Sequence, residues 1–420
     1  MKKSLVLVLI IVLLTSLFSI VSAQDLSGEI HVLVRPDEGA VFEKYVPKFE
    51  EETGVKVIVD FVSWADISSK TMTTLASGGG GYDVVMIPSA DATKLMAGGW
   101  FEPINDMIAG EEDLWLKSVV EFYTDAEGNL LGFPWYSGAS HWVYNKAILD
   151  KAGVDPAGIK TWDDINAACA KVKETAAADF CLTPSIKYPG NFYYGWGSIA
   201  KAHGGKLFDE EGNILFDKDP NTLAATKFYE DGANLEYLNP AGVGLSDYET
   251  LIEYGTGKTA FMLNSTWSST QAMTNPELSS VADESFAMLV PGNGDFLSDT
   301  YLYAGAFGIL KTSDNKDAAK AFIKFMTNDD AQKDHAINGG NLPTRVALFE
   351  DAEIAAAWKG YDVLSEQLNY GGFAPKIEWF DEWRVVAATA IQNVVKGEMT
   401  AEEALTWLAG ETETIKANAE

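Results

Sequence analysis

A chain of 420 residues with a formal charge of −30 at neutral pH is long enough for two α/β lobes. It is too acidic for a phosphate backbone or an anionic membrane surface to be its natural partner, so nucleic acid is excluded as the expected ligand. Only two cysteines, Cys169 and Cys181, and four scattered histidines are present. No histidine stands at ligand spacing with another His, Cys or carboxylate cluster, so neither a metal nor a cofactor is expected.

The chain opens with Lys2 and Lys3, an apolar run from Leu5 to Ile20, and the small residues Val21-Ser22-Ala23. This is the pattern of a secretory signal peptide cut after Ala23. The run is short for a spanning helix, which needs about 20 residues. An uncleaved anchor is the alternative. The expected product is a monomer, periplasmic or extracellular. No lipid-bearing cysteine stands near the cut.

EIHVLV (Glu29 to Val34) predicts a strand, followed by an amphipathic helix from Val41 to Thr53 that Gly54 stops. VKVIVDFV predicts a second strand. A helix from Asp66 to Ser77 leads through Gly78–Gly81 to a third strand, YDVVMIP, apolar throughout as in a parallel sheet covered on both faces. Ala92 to Gly98 is a short helix. The pattern is βαβαβ, with right-handed crossovers expected.

LLGFPWY (Leu130 to Tyr136) interrupts it, and the chain is expected to leave its first lobe at Gly132–Pro134. WVYNKAILDKAG restarts with a strand and a helix. TWDDINAACAKVKE is a helix with Thr161 as N-cap and Asp164 three residues on. Cys169 lies on that helix and Cys181 opens the next strand, CLTPSI. In an oxidising compartment the two either bridge or remain buried thiols.

FYYGWGS (Phe192 to Ser198) holds four rings in seven residues. It reads as a loop, because Gly195 and Gly197 would each cost a helix about 1 kcal/mol. Past it come a hairpin around DEEGN, helices at Thr222–Glu236 and Tyr248–Gly255, and strands TAFMLN, FAMLVP and AFGIL. Further helices follow at Asn315–Thr327 and Asp329–Ile337, with a mainly helical tail from Trp379. Asp83, Pro343 and Arg345 are expected to be structural.

No GxSxG elbow, HExxH pair or Walker loop is present. The tetraglycine Gly78–Gly81 precedes a strand, so it cannot offer helix N-terminal amides to a phosphate. The informative residues are rings at the ends of elements: Trp64, Trp135, Tyr136, Tyr193, Tyr194, Trp196, Trp267, Tyr301, Tyr303, Trp379 and Trp383. In open α/β sheets ligands bind beyond the carboxyl ends of strands. A pyranose offers flat C–H faces to such rings, and its hydroxyls need polar partners at the rim.

The segments FEEETGVKVIVDFVSWADISSKTMTTLASGGGGYDVVMIPS, AGGWFEPI, LLGFPWYSGASHWVYNKAILDKAG, KAHGGKLFDEEGN, GKTAFMLNSTW, DNKDAAKAFIKFMTNDDAQ and NLPTR occur in order. Together they resemble the family 1 extracellular solute-binding proteins, sugar-binding components of ABC importers typified by the maltose-binding protein. The resemblance implies an α/β, two-lobed periplasmic-binding-protein fold of type II, with hinge crossovers and an interlobe cleft. It places residues 24–133 with 303–336 in an N-terminal lobe, and 134–302 with 337–420 in a C-terminal lobe. It implies a carbohydrate ligand, delivery to the transmembrane permease subunits of an ABC transporter, and no catalysis. The expected ligand contacts are Arg35, Asp37, Glu38, Trp64, Ser89, Asp91, Trp135, Tyr136, Tyr194, Trp196, Trp267, Tyr303, Trp379 and Trp383. Trp267 and Trp383 are the best-placed stacking rings. Family members carry an acidic residue just after the crossover proline, where this chain has Ser137 and Gly138. A secreted carbohydrate-active enzyme, or the same fold binding a polyamine or a phosphorylated polyol, is the alternative.

Overall fold

The computed structural model describes residues 26, 28–78, 81–187, 192–209 and 211–419. The expected signal peptide, 1–23, lies outside them. Among the described residues no helix is long and apolar enough to cross a membrane.

Among the described residues nine strands order the chain: β1 (Glu29–Val34), β2 (Lys56–Phe61), β3 (Val84–Pro88), β4 (Phe133–Asn145), β5 (Phe180–Leu182), β6 (Thr259–Ser265), β7 (Ser285–Met288), β8 (Leu302–Ile309) and β9 (Leu342–Pro343). Their main path runs β2-β1-β3-β8-β4-β6-β5, with β7 and β9 paired to β4 off that path. β1 is parallel to both β2 and β3, as the βαβαβ pattern requires, and β8 returns antiparallel to β3.

The helices follow local signals. Gly54 ends the helix Gly39–Thr53 in the left-handed region, at φ 74°. Thr161 and Asp164 form the expected capping box on the helix Trp162–Glu174. The disulfide is present: Cys169 of that helix bridges Cys181 of β5. Asp83 is structural, accepting from the His31 amide at 2.8 Å and from the Ser313 hydroxyl at 2.5 Å.

At Gly132–Pro134, where the chain is expected to leave its first lobe, it enters β4 and runs extended for 13 residues, pairing first with β8 through Ala139 and then with β6 from Ser140. An irregularity between Pro134 and Tyr136 absorbs the proline, which has no N–H for the ladder. One expectation needs correction: FYYGWGS is not all loop. Phe192–Gly195 is a turn, and a helix Trp196–Ala202 starts inside the motif. Gly197 is helical because nothing larger fits: a Cβ there would lie 2.6 Å from the Phe192 carbonyl oxygen.

The buried apolar residues fall into three clusters. One draws on residues between Ile30 and Tyr136 and between Ala304 and Ala331. A second draws on Trp142 to Tyr301 and Ala374 to Leu408. A third, around Val143, Leu251, Met262 and Leu342, joins β4 and β6 to the chain after β9.

Candidate functional site

β4 and β8 build the site where they pair. Tyr136 faces Gly305 and Gly138 faces Tyr303 in the ladder. Each ring lies over the glycine opposite. A Cβ on Gly138 would sit 2.3 Å from Tyr303 Cζ, and one on Gly305 would sit 2.3 Å from Tyr136 Cε1. The sequences WYSGAS and YLYAGAF thus hold two phenol rings against one sheet by leaving bare backbone beneath them. The rings meet at 65°, centroids 6.5 Å apart.

Tyr194 stands edge-on to Tyr303 at 87°, centroids 6.0 Å apart, and brings the FYYGWGS turn to this point. Tyr303 is anchored at its hydroxyl, which accepts from the Thr266 amide at 3.0 Å and donates to Asn341 Oδ1 at 3.3 Å. Trp267, half-buried, follows Thr266 at the start of the helix Thr266–Thr274, with Tyr248 stacked beside it at 6.3 Å. Four stretches of chain therefore converge on one group of rings.

Charge surrounds the rings in pairs. Arg35 Cζ lies 5.2 Å from the Tyr136 centroid, and Arg35 donates to Glu38 at 2.7 Å. Arg384 donates to Asp381 and lies 5.4 Å from the Tyr193 centroid. Asp91 and Asp381 line a small cavity with Ser89, Thr93, Tyr193 and Phe380. Burial pushes the Tyr303 and Tyr193 phenols up to about 12, and holds Tyr194 well above its ordinary value. These phenols stay neutral and can both donate and accept hydrogen bonds. Burial also raises the Asp247 carboxyl, whose charge is felt at Tyr194. The chemistry on offer is flat apolar ring area beside phenols and carboxylates, with each arginine already matched to an acid.

Of the expected contacts, Arg35, Tyr136, Tyr194, Trp267 and Tyr303 come together here, and Ser89 and Asp91 line the small cavity beside Tyr193. The others do not. Trp383 is fully buried in the second cluster, against Phe208 at 4.9 Å and Phe380 at 5.2 Å. Trp196 is buried beside it and donates to Thr226 Oγ1 at 3.0 Å. Trp135 is fully buried, with its indole N–H given to Glu38 at 2.9 Å. Glu38 is equally buried, so its carboxylate is used within the chain. Ser89 spends its amide and hydroxyl on the Ala304 backbone of β8. Trp379, half-buried, instead lines a separate outer groove of about 400 Å³ with Lys94, Glu378, Glu382 and Ile415. The side chains of Asp37 and Trp64 lie outside the described residues.

Four polar residues at the site were not anticipated: Asn341, Asp247, Arg384 and His335. Arg384 had a signal. One helical step from Trp383 is 100°, so if the indole faces the core the guanidinium faces elsewhere. Asn341 opens the NLPTR segment, whose sequence signal lies in its proline and arginine, and Asp247 and His335 lie in no motif.

Among the described residues no group of three or more His, Cys, Asp or Glu could hold a metal ion. Residues 35–333 match the family described as bacterial extracellular solute-binding protein. A mannitol-binding protein of Pseudomonas aeruginosa is 27% identical over 301 residues, spanning 69% of this chain and 67% of the relative. An erythritol/L-threitol-binding protein of Mycolicibacterium smegmatis is 25% identical over 85% of this chain and 79% of its own. Among solved structures, maltose-bound MalE3 of T. maritima superposes with a TM-score of 0.80 at 21% identity, over 92% of this chain and all of that one. A ribitol-bound ABC transporter solute-binding protein of Agrobacterium radiobacter gives 0.80 at 17% identity, over 92% and 98%. At such identities the structural likeness speaks for the fold, which is the two-lobed one.

Proposed function

The chain belongs to the bacterial extracellular solute-binding protein family, and on that premise we propose that it captures a neutral sugar or polyol between its two lobes and delivers it to the permease of an ABC importer. The observation that carries this reading is the convergence of Tyr136, Tyr194 and Tyr303, joined through Thr266 by Trp267, from four stretches of chain, beside Arg35. C–H faces would lie on the rings, and hydroxyls would pair with phenols, carboxylates and guanidinium. The lobes are assigned as residues 24–133 with 303–336, and 134–302 with 337–420. The separation of two large apolar clusters supports that division.

Pairing argues against an anionic ligand. A phosphate needs a cation with charge to spare, whereas Arg35 and Arg384 each face a carboxylate of the chain. A ligand shifts the open–closed balance only by binding the closed form better, and no covalent step is needed. Export through the leader would place the protein in the periplasm or outside the cell, as a monomer.

Thermal-shift and calorimetric titration of the mature chain with D-mannitol, erythritol, L-arabinose and maltose test this. A ligand at 100 times its Kd should stabilise the fold by about 2.7 kcal/mol. A chain that none of the four stabilises, or one that releases reducing ends from oligosaccharides, would overturn the reading.

A further inference from the structure

We propose that Glu38 is the positioning residue of the ligand site, holding the Arg35 guanidinium against Tyr136 through a buried carboxylate shared by three stretches of chain. The inference rests on Arg35 and Tyr136 being ligand contacts, as read above.

Glu38 closes the short turn Pro36–Glu38 after β1, and its side chain is 1% exposed. A carboxylate so deep is strongly unfavourable unless both oxygens are matched. Here they are. Oε1 accepts from Arg35 Nη2 at 2.7 Å. Oε2 accepts from Trp135 Nε1 at 2.9 Å and lies 2.8 Å from His335 Nε2. Burial alone would raise the Glu38 carboxyl, but His335 and Arg35 more than offset that and hold it well below the usual range. The acid is an anion at neutral pH.

Its partners decide what the anion does. Trp135 belongs to β4, one residue before Tyr136. His335 belongs to the helix Asp329–Gly339, which turns through Gly340 into β9, and β9 pairs back onto Tyr136 and Ser137. The His335 ring also packs on Trp135 at 4.5 Å and Tyr136 at 5.7 Å. Glu38 therefore fixes the loop that carries Arg35 to β4, which carries Tyr136, and to the helix that leads into β9. A flexible arginine loses rotamer entropy when it meets a ligand. One already clamped by a charge-assisted bond and a ring face has lost it beforehand, which raises affinity without adding a contact.

A purely structural Glu38 and a positioning Glu38 differ in a double-mutant cycle. Glu38→Gln, Arg35→Ala and the double variant are titrated calorimetrically with whichever of D-mannitol, erythritol, L-arabinose and maltose binds the wild type. Glu38→Gln should weaken binding about tenfold when Arg35 is present and less than about twofold in the Arg35→Ala chain. Equal losses in both backgrounds overturn the inference and leave the binding function standing. A wild type that binds none of the four overturns the function, and this inference with it. Should Glu38→Gln fail to fold, Trp135→Phe removes one donor and spares the acid. It should weaken binding several-fold only while Arg35 is present, and the same loss in both backgrounds counts against the inference.

Discussion

Tyr303 lies across Gly138, its partner in the β4–β8 ladder, so closely that a Cβ on the glycine would sit 2.3 Å from the ring. Ring placement is therefore set by an absence of side chain, and the reciprocal pair, Tyr136 over Gly305, obeys the same rule. Gly138→Ala should displace Tyr303, break its bonds to Thr266 and Asn341, and lower sugar or polyol affinity at least about tenfold. Overpacking should remove about 1–3 kcal/mol of stability. Gly410→Ala, at an exposed position of the helix Ala401–Ala419 with nothing within 4 Å of the new Cβ, should instead gain about 0.5–1 kcal/mol. Unchanged calorimetric affinity in Gly138→Ala would show that the Tyr303 ring is not where the ligand sits.

The Trp383 indole is the strongest case of a ring that stabilises rather than binds. It is enclosed by Phe208, Phe380, Phe192, Phe216 and Trp196. Trp383→Ala should cost about 3–5 kcal/mol, the range for truncating a large buried ring. Trp267→Ala removes a half-buried ring at the site and should lower affinity with little change in unfolding midpoint. Urea melts and titrations on the two variants read this directly. Trp383→Ala with native stability and lost binding would reverse the assignment.

The contrast shows which parts of the molecule were readable. Strands, caps and the βαβαβ order follow from local period and turn chemistry, so Gly54, Thr161 and the apolar run Val84–Pro88 declare their roles without a fold. Rings do not. An indole at the end of an element stacks on a ligand or fills a core according to what lies opposite, and for Trp383 and Trp196 that is settled by residues far away in the chain, 191 positions from Phe192 to Trp383. One local clue existed. In FDEWRVVAATAIQNVV, Phe380, Trp383, Ala387, Ile391 and Val394 repeat at helical spacing, and all five are buried. Period places that indole inside, whatever its resemblance to a stacking position. Glu38 offered no such clue, because its three partners come together only in the folded chain.

The disulfide joins residues 12 apart, Cys169 to Cys181, and ties the helix Trp162–Glu174 to β5. Closing so short a loop should contribute about 3 kcal/mol by restricting the unfolded chain. The double variant Cys169→Ala/Cys181→Ala should therefore melt lower and stay insensitive to reductant, while the parent protein loses the same increment on reduction. Ligand affinity should not move, since both sulfurs are buried between the helix Trp162–Glu174 and β5, neither of which supplies a ring to the site. A reductant-insensitive parent would mean that the bridge adds nothing.

Acid should destabilise the protein in two windows. Burial alone holds the His141 imidazole at about 3, and His203, stacked on Trp162, is held at about 4, chiefly by burial. In the unfolded chain both take up a proton near 6.5. Their contribution is complete above that value and is lost as pH falls from 6.5 toward 4 and then 3, by up to about 1.4 kcal/mol per unit for fully buried His141. Glu38 acts lower. Its folded value is depressed to about 2, so its contribution is present above the ordinary carboxylate range near 4.5 and fades below it. Stability measured by urea midpoint should begin to fall near pH 6.5 and steepen below about 4.5. His141→Gln can keep a hydrogen bond to Thr266 Oγ1, which lies 2.9 Å from the imidazole, but removes the proton site. It should flatten the upper window and leave the lower one, whereas Glu38→Gln should do the reverse. If His141→Gln follows the parent curve between pH 6.5 and 4.5, the buried imidazole is not what acid attacks first.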